Sequence, residues 1–405
     1  MTVGSKTDAL RESLKQRACD AIDALKNDLV SISHDIHAHP EENFVEFHAH
    51  EVLTQMVADN GLPVTRHAFD LDTAFDVAVG GEGATVAVLC EFDALPGIGH
   101  ACGHNIIAAA GMGAGLALAG LAEEAGGRLR LMGTPAEEGG GGKIEMARKG
   151  AFDGVDAAMM VHPSDADTAR MNAIAVQHVL ARYVGEAAHA SMSPHLGKNA
   201  LDAAVLGYMN IAALRQHIMP TERVHGVFLK AGEKPNIVPW ESEMDWYVRS
   251  NTIETLQPLK ARVSACLEAA GHATGCHCEL EWVKNPFADV VDNVPLLGAY
   301  VANSAQFGRM LTTERQSGFG GASTDMGNVS YLVPSIHPMI AVAPQGVSLH
   351  TPEFADYAVT EEATRAILDG AKIMAMTAID VWMTDVLRAE MREYFGDGGI
   401  PDGVL

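Results

Sequence analysis

Three short apolar runs, residues 84–92, 128–133 and 157–161, constrain the fold of this 405-residue chain most strongly. They are rich in Val, Leu, Met and Ala and alternate with helical stretches, the pattern of parallel strands buried on both faces. A fourth run of the same kind, 339–343, lies far downstream. The predicted fold class is α/β, a doubly wound sheet with helices on both sides. Ligand sites in such sheets form outside the carboxyl ends of the strands, so the four strand exits are expected to converge on one crevice.

Between residues 177 and 286 the pattern changes. Strands are predicted at 179–184, 224–230, 242–249 and 276–283, and helices at 198–217 and 253–271. That β-α-β-β-α-β order is the split βαβ arrangement of ferredoxin-like α+β domains. A chain of this length, 48% hydrophobic, is expected to divide its core in two. The predicted division is 1–176 and 287–405 as the two parts of one domain and 177–286 as a smaller domain inserted between them. The flanks 164–175 and 285–294 would be hinges. At the N-terminus Leu10, Leu14, Ile22, Leu25, Leu29, Ile32 and Ile36 mark an amphipathic helix.

The balance of 28 basic against 52 acidic residues, a formal charge of −24, argues against nucleic acid or an anionic membrane as partner. No secretion signal opens the chain. Residues 106–122 lack charge but are short for a membrane span and rich in Ala and Gly, so a buried helix is expected there. The six cysteines, at 19, 90, 102, 266, 276 and 278, show no disulfide-framework spacing and are read as reduced, which makes a cytoplasmic location the expectation.

Two segments carry the chemistry. One is His100-Ala101-Cys102-Gly103-His104-Asn105, a glycine-containing loop that places Cys102 and His104 two residues apart at the start of a helix. The other is Thr134-Pro135-Ala136-Glu137-Glu138 followed by four glycines. Adjacent carboxylates just past a buried strand are electrostatically costly unless solvated or beside a cation. His162 and His350 each follow an apolar run. Taken singly, each of these residues is more ordinarily structural, but ligand-type side chains at four strand exits point to a divalent-metal hydrolase. Two other groups read more plainly. His34, His37 and His39 suit a helix C-terminus with imidazoles near its carbonyls. Cys276 and Cys278 share a strand face with Leu280 and suit core packing.

The ordered set 36–41, 93–96, 100–105, 133–142, His162, His189-Ala190, Asn236-Ile237-Val238-Pro239 and His350 resembles the zinc-type metallopeptidases and aminoacylases that include carboxypeptidase G. It is most similar to the branch of indole-acetyl-amino-acid, aminobenzoyl-glutamate and β-alanyl-dipeptide hydrolases. The resemblance implies a catalytic domain with an inserted lid or dimerisation domain, and a homodimer. It implies two divalent ions, zinc first with manganese or cobalt as alternatives, held by Cys102, His104, Glu138, His162 and His350. Glu137 would be the general base and Asp93 the residue orienting a ligand. His189 would reach an active site, often the partner subunit's, and polarise the scissile carbonyl. Asn236, Arg249, Ser323 and Asp325 would face substrate, with Ser323 and Asp325 in a loop over 318–325 and Arg249 as a fork for a carboxylate.

Two departures stand out. Relatives outside the branch carry His-x-Asp where this chain has Glu91-Phe92-Asp93, and the branch's Cys-Gly-His-Asp is here Cys-Gly-His-Asn, ending on Asn105. The expected activity is metal-dependent hydrolysis of the amide bond of small N-acyl amino acids or dipeptides. A non-catalytic metal- or ligand-binding homologue and a thiol-nucleophile amidase using Cys102 and His104 are the alternatives. The first leaves Glu137 without a purpose, and the second leaves the glutamate pair and the distant histidines unexplained.

Overall fold

The computed structural model describes residues 3–313, 321–396 and 399–405. A six-stranded sheet runs in the order Thr65–Arg66, Phe75–Gly80, Arg128–Thr134, Thr85–Glu91, Ala157–Met159, Ser335–Ile336. The last four are mutually parallel and the first two pair antiparallel. Every residue of Thr85–Glu91 is buried, as a strand covered on both faces requires. One face packs helices Val3–Ala24, Lys26–Ala38, His104–Ala119 and Glu361–Met383 into the larger core, which includes Leu29, Val88, Met112 and Met374. The other face carries a smaller cluster around Leu89, Met132, Met146 and Met326.

The charge-free stretch is helix His104–Ala119, buried almost throughout. Gly111 makes this possible, because a Cβ there would come within 2.5 Å of Cys90 Sγ on the central strand. Among the described residues no helix is long and apolar enough to cross a membrane.

Two expectations are corrected. The N-terminal amphipathic stretch is two helices meeting at Leu25 rather than one. The run 339–343 does not join the main sheet. Its strand, Met339–Ala341, pairs parallel with His162–Ser164 in a separate two-stranded ribbon, and Ser335–Ile336 takes the edge position instead. Pro338 stands between the two short strands; without an N–H it cannot continue the ladder, and its carbonyl accepts from the His162 N–H at 3.0 Å. The ribbon still delivers His162 to the crevice.

A second sheet, fully antiparallel, has the order His277–Phe287, Ala175–Val184, Glu241–Ser250, Arg223–Lys230. Helices Ala200–Arg215 and Ile253–Thr274 lie between its strands in sequence, giving the expected β-α-β-β-α-β order. Asn199 caps the first through the N–H groups of Leu201 and Asp202, and Thr252 opens the second with a capping box. Along Glu241–Ser250 burial alternates strictly. Met244, Trp246 and Val248 enter the core, whereas Asp245, Tyr247 and Arg249 face the other way. Cys276 and Cys278 pack on this core as free thiols, as their shared strand face predicts.

Candidate metal centre

Gly103 fixes the first turn that carries candidate ligands. It adopts φ 77°, and a Cβ would meet Pro163 Cγ at 2.5 Å, so only glycine allows helix His104–Ala119 to begin against the 162–164 ribbon. That contact brings Cys102 Sγ to 3.4 Å from His162 Nε2. The other His162 nitrogen, Nδ1, lies 2.8 Å from the Pro163 carbonyl, which makes Nδ1 the protonated nitrogen and aims Nε2 at the thiol.

His104 is oriented in the same manner by Asp93, whose Oδ1 is 3.1 Å from Nδ1. His104 Nε2 then faces Glu91 Oε2 at 3.6 Å, Glu137 Oε2 at 3.9 Å and Glu138 Oε1 at 3.9 Å. Glu138 Oε1 in turn lies 3.2 Å from His350 Nε2. Asp93 spans both segments, because its Oδ2 accepts from the Glu138 N–H at 2.9 Å.

Both remaining turns that carry candidate ligands use left-handed backbone at non-glycine residues. Ala136, just before Glu137, has φ 58°, and His350 has φ 62°. Such conformations cost free energy and persist only where neighbours hold them. The Ala136 N–H donates to Glu46 Oε1 at 2.9 Å and the His350 N–H to the Ala101 carbonyl at 2.9 Å. Burial, and then the Asp93 carboxylate, push Glu46 up to about 7.

The donors suit a divalent cation. Ligand atoms of Cys102, His104 and His162, of Cys102, Glu138 and His350, and of His104, Glu137 and Glu138 each lie within 4.8 Å of one another. Donors about 2.0–2.3 Å from one zinc-sized ion sit about 3–4 Å apart. His104 Nε2, Glu138 Oε1 and Glu91 Oε2 are buried with no hydrogen-bond partner among the described residues. Burial, followed by Glu91 and Glu138, pushes the Glu137 carboxyl well up, and burial, followed by Glu138, pushes the Cys102 thiol up. For His104 burial works the other way, but Cys102 and Asp93 outweigh it and hold the imidazole well above its usual range. So many buried acidic donors are costly until a cation joins them.

The centre forms one wall of a cavity of about 570 Å³, with Cys102, Glu137, Glu138, His162 and His350 in its lining. Across from them Arg249 donates to Ser323 Oγ at 3.1 Å, and both line the cavity. His178, Tyr247 and Arg223 line it too, and sequence reasoning missed all three. The available signal was strand alternation, since Tyr247 and Arg249 share the open face and pair across the ladder with His178, His225 and Arg223.

Other expected site residues lie elsewhere. Asp325 does not line the cavity. It is fully buried and bound to Lys143, whose Nζ is 2.6 Å from Oδ1 and whose main-chain N–H donates to Oδ2 at 2.9 Å. Of the loop 318–325, Gly318, Phe319 and Gly320 fall outside the described residues. His189 and Asn236 are exposed side by side, the Ala190 N–H donating to the Asn236 carbonyl at 3.1 Å, and neither lines the cavity of its own chain. Asn105 turns away from the centre, donating to Ser33 Oγ at 2.9 Å and the Ala358 carbonyl at 3.0 Å. Among the N-terminal histidines, His39 lies 2.9 Å from the Asp35 carbonyl of its own helix, the helix-end role expected, whereas His37 lies 2.9 Å from the Ala355 carbonyl of a different helix, Pro352–Tyr357.

Comparison with known proteins identifies the family. The model of Peptidase family M20/M25/M40 matches residues 76–379. The chain is 38% identical to the Xaa-Arg dipeptidase of Mus musculus over 97% of its own length and 94% of that protein. It is 29% identical to one of the component chains of the p-aminobenzoyl-glutamate hydrolase of Escherichia coli K12, over 92% and 93% respectively. Its fold is similar to that of a dinuclear metal-binding peptidase of the M20 family from Bacillus subtilis, with a TM-score of 0.68 at 21% identity over 89% of this chain and 99% of the other. The chain therefore belongs to the M20/M25/M40 peptidase family and to its branch of metal-dependent amide hydrolases.

Proposed function

We propose that this protein hydrolyses the amide bond of small N-acyl amino acids or dipeptides at a dinuclear centre held by Cys102, His104, Glu138, His162 and His350. The observation that carries the reading is the convergence of Cys102, Glu138, His162 and His350 with Glu137 at one wall of the cavity and of His104 just behind them, where His104 Nε2 and Glu138 Oε1 are buried without hydrogen-bond partners among the described residues. Bound divalent ions would supply Lewis acidity at the carbonyl oxygen and make water acidic enough to be deprotonated near neutral pH. Zinc suits the mixed sulfur, nitrogen and oxygen donors, and manganese or cobalt are the alternatives.

Glu137 is the general base in this reading. Its carboxylate sits among the donors yet is not needed to complete either the Cys102-Glu138-His350 or the Cys102-His104-His162 group. It takes a proton from the attacking water and returns it to the leaving amine. Arg249 donates to Ser323 Oγ and pairs with no carboxylate among the described residues, so its guanidinium receives the substrate carboxylate. Ser323 holds that guanidinium while its own hydroxyl donates to the Ile174 carbonyl at 2.7 Å.

Residues 177–286 act as a lid and dimerisation domain between the two parts of the catalytic domain, 1–176 and 287–405. Supporting this is the outer strand Arg223–Lys230, which leaves one backbone edge unpaired among the described residues and exposes Val227, Phe228 and Leu229. Pairing two such edges would form a homodimer and carry the exposed His189 and Asn236 toward a neighbour's cavity. There His189 would stabilise the developing oxyanion. Six free thiols fit a cytoplasmic location.

Chelation tests the reading. A metal chelator should abolish hydrolysis of N-acyl amino acids and dipeptides, and added zinc, manganese or cobalt should restore it. Substrates with an amidated C-terminus should be poor. Activity that survives chelation but is lost on thiol alkylation would replace this reading with nucleophilic catalysis by Cys102.

A further inference from the structure

Behind the centre lies an ion triad that the assigned donors and base do not use. Lys143 is fully buried, its ammonium 2.6 Å from Asp325 Oδ1 and 2.5 Å from Glu91 Oε1. Glu91 and Asp325 are fully buried as well. Lys143 and Asp325 alone would make a neutral pair, joined twice through the side-chain and main-chain nitrogens of Lys143. Glu91 adds a second carboxylate to one ammonium. Burying that surplus negative charge is expensive unless another cation meets it.

Geometry says where that cation would be. Lys143 occupies the Oε1 side of Glu91, and Oε2 points to the opposite side, toward His104 Nε2 at 3.6 Å. Neither Glu91 Oε2 nor His104 Nε2 has a hydrogen-bond partner among the described residues, and both are buried. Two unpartnered donors at that separation match two ligands of one ion at about 2.0–2.2 Å from each. A ligating carboxylate is ordinarily fixed by an interaction on its other oxygen, and here the Lys143 ammonium forms an ion pair there.

We propose that Glu91 is a further donor of the metal centre, acting on the ion that His104 holds, and that Lys143 and Asp325 are positioning residues that present its Oε2. The inference rests on the dinuclear reading given above. It also gives Asp325 a place in the site different from substrate contact, at one remove from the metal. The centre would then hold six protein donors, with Glu91 standing where relatives outside the branch carry the histidine of His-x-Asp.

The test uses the full-length protein loaded with cobalt, read by its visible absorption spectrum and by competition with a chromophoric chelator. Glu91→Gln keeps the shape and one acceptor oxygen. It should weaken one of the two ions by about 10- to 100-fold and shift the cobalt bands. Lys143→Met, which frees Glu91 from its anchor, should also shift the bands. Wild-type spectra and wild-type affinities for both ions in these two variants, even with a lower melting temperature, would make the triad a purely structural feature and overturn the proposal. Should Glu91→Gln fail to fold, Glu91→Asp withdraws the oxygen by one methylene and carries the same expectation and the same refutation. Glu138→Ala serves as the control for the underlying reading. If it too retains both ions with an unchanged spectrum, the centre is wrongly assigned and both proposals fall. If it loses metal while Glu91→Gln does not, only the role of Glu91 is refuted.

Discussion

Asp93 accepts from His104 Nδ1 at 3.1 Å on one oxygen and from the Glu138 N–H at 2.9 Å on the other, so one buried carboxylate sets the orientation of donors from both chemistry-bearing segments. Burial opposes ionisation of Asp93, but the adjacent His104 and the N–H donors outweigh it and hold the carboxyl below its usual range. It therefore stays an acceptor and orients the His104 ring so that Nε2 faces Glu91, Glu137 and Glu138.

Replacing Asp93 by Asn should consequently lower metal affinity by about 10- to 100-fold without removing a ligand. Chelator competition measures this directly. An unchanged affinity would mean that His104 is oriented by other contacts.

Stability should depend on pH through His100. Both of its ring nitrogens are buried, and burial, then His104 and His37, push the imidazole down to about 3. The unfolded chain takes up the proton near pH 6.5, whereas the folded protein resists it. The resulting stability is present above pH 6.5 and is lost as pH falls toward 3, by about 2–3 kcal/mol at pH 4.5. Urea unfolding of metal-depleted protein at pH 7.5 and 4.5 should show this loss in the wild type and a smaller one in His100→Gln. Equal losses in the two proteins would show that His100 is not the group responsible.

If His189 serves a neighbouring subunit, two inactive variants should complement each other. Mixing Glu137→Gln with His189→Ala protomers gives mixed dimers that hold one site with both residues intact. Random exchange would restore about a quarter of wild-type activity. No recovery after verified subunit exchange would place His189 within its own chain's chemistry or outside it.

Much of this architecture was legible in the sequence because its signals are local. The apolar runs announced the buried strands, and a strand was legible at 242–249, the one that carries Arg249. His162 and His350 were visible as imidazoles after apolar runs. What escaped depends on partners far apart in the chain. Asp325 looked like a substrate contact until Lys143, 182 residues away, proved to bind it, and nothing near either residue marks the pairing. Residues 339–343 had the composition of a central strand, but they pair in a side ribbon beyond Pro338, while Ser335–Ile336 takes the sheet edge. Asn105, next to two donors, serves packing because Ser33 and Ala358 face its amide.

The account rests on the division of labour between two adjacent glutamates, and metal content measured alongside turnover in Glu137→Gln tests it most directly. The variant should bind as many ions per chain as the wild type, two on this account, while turnover falls by about 10²- to 10⁴-fold. Near-normal turnover would contradict the assignment of Glu137 as the base, and loss of metal would make it a ligand.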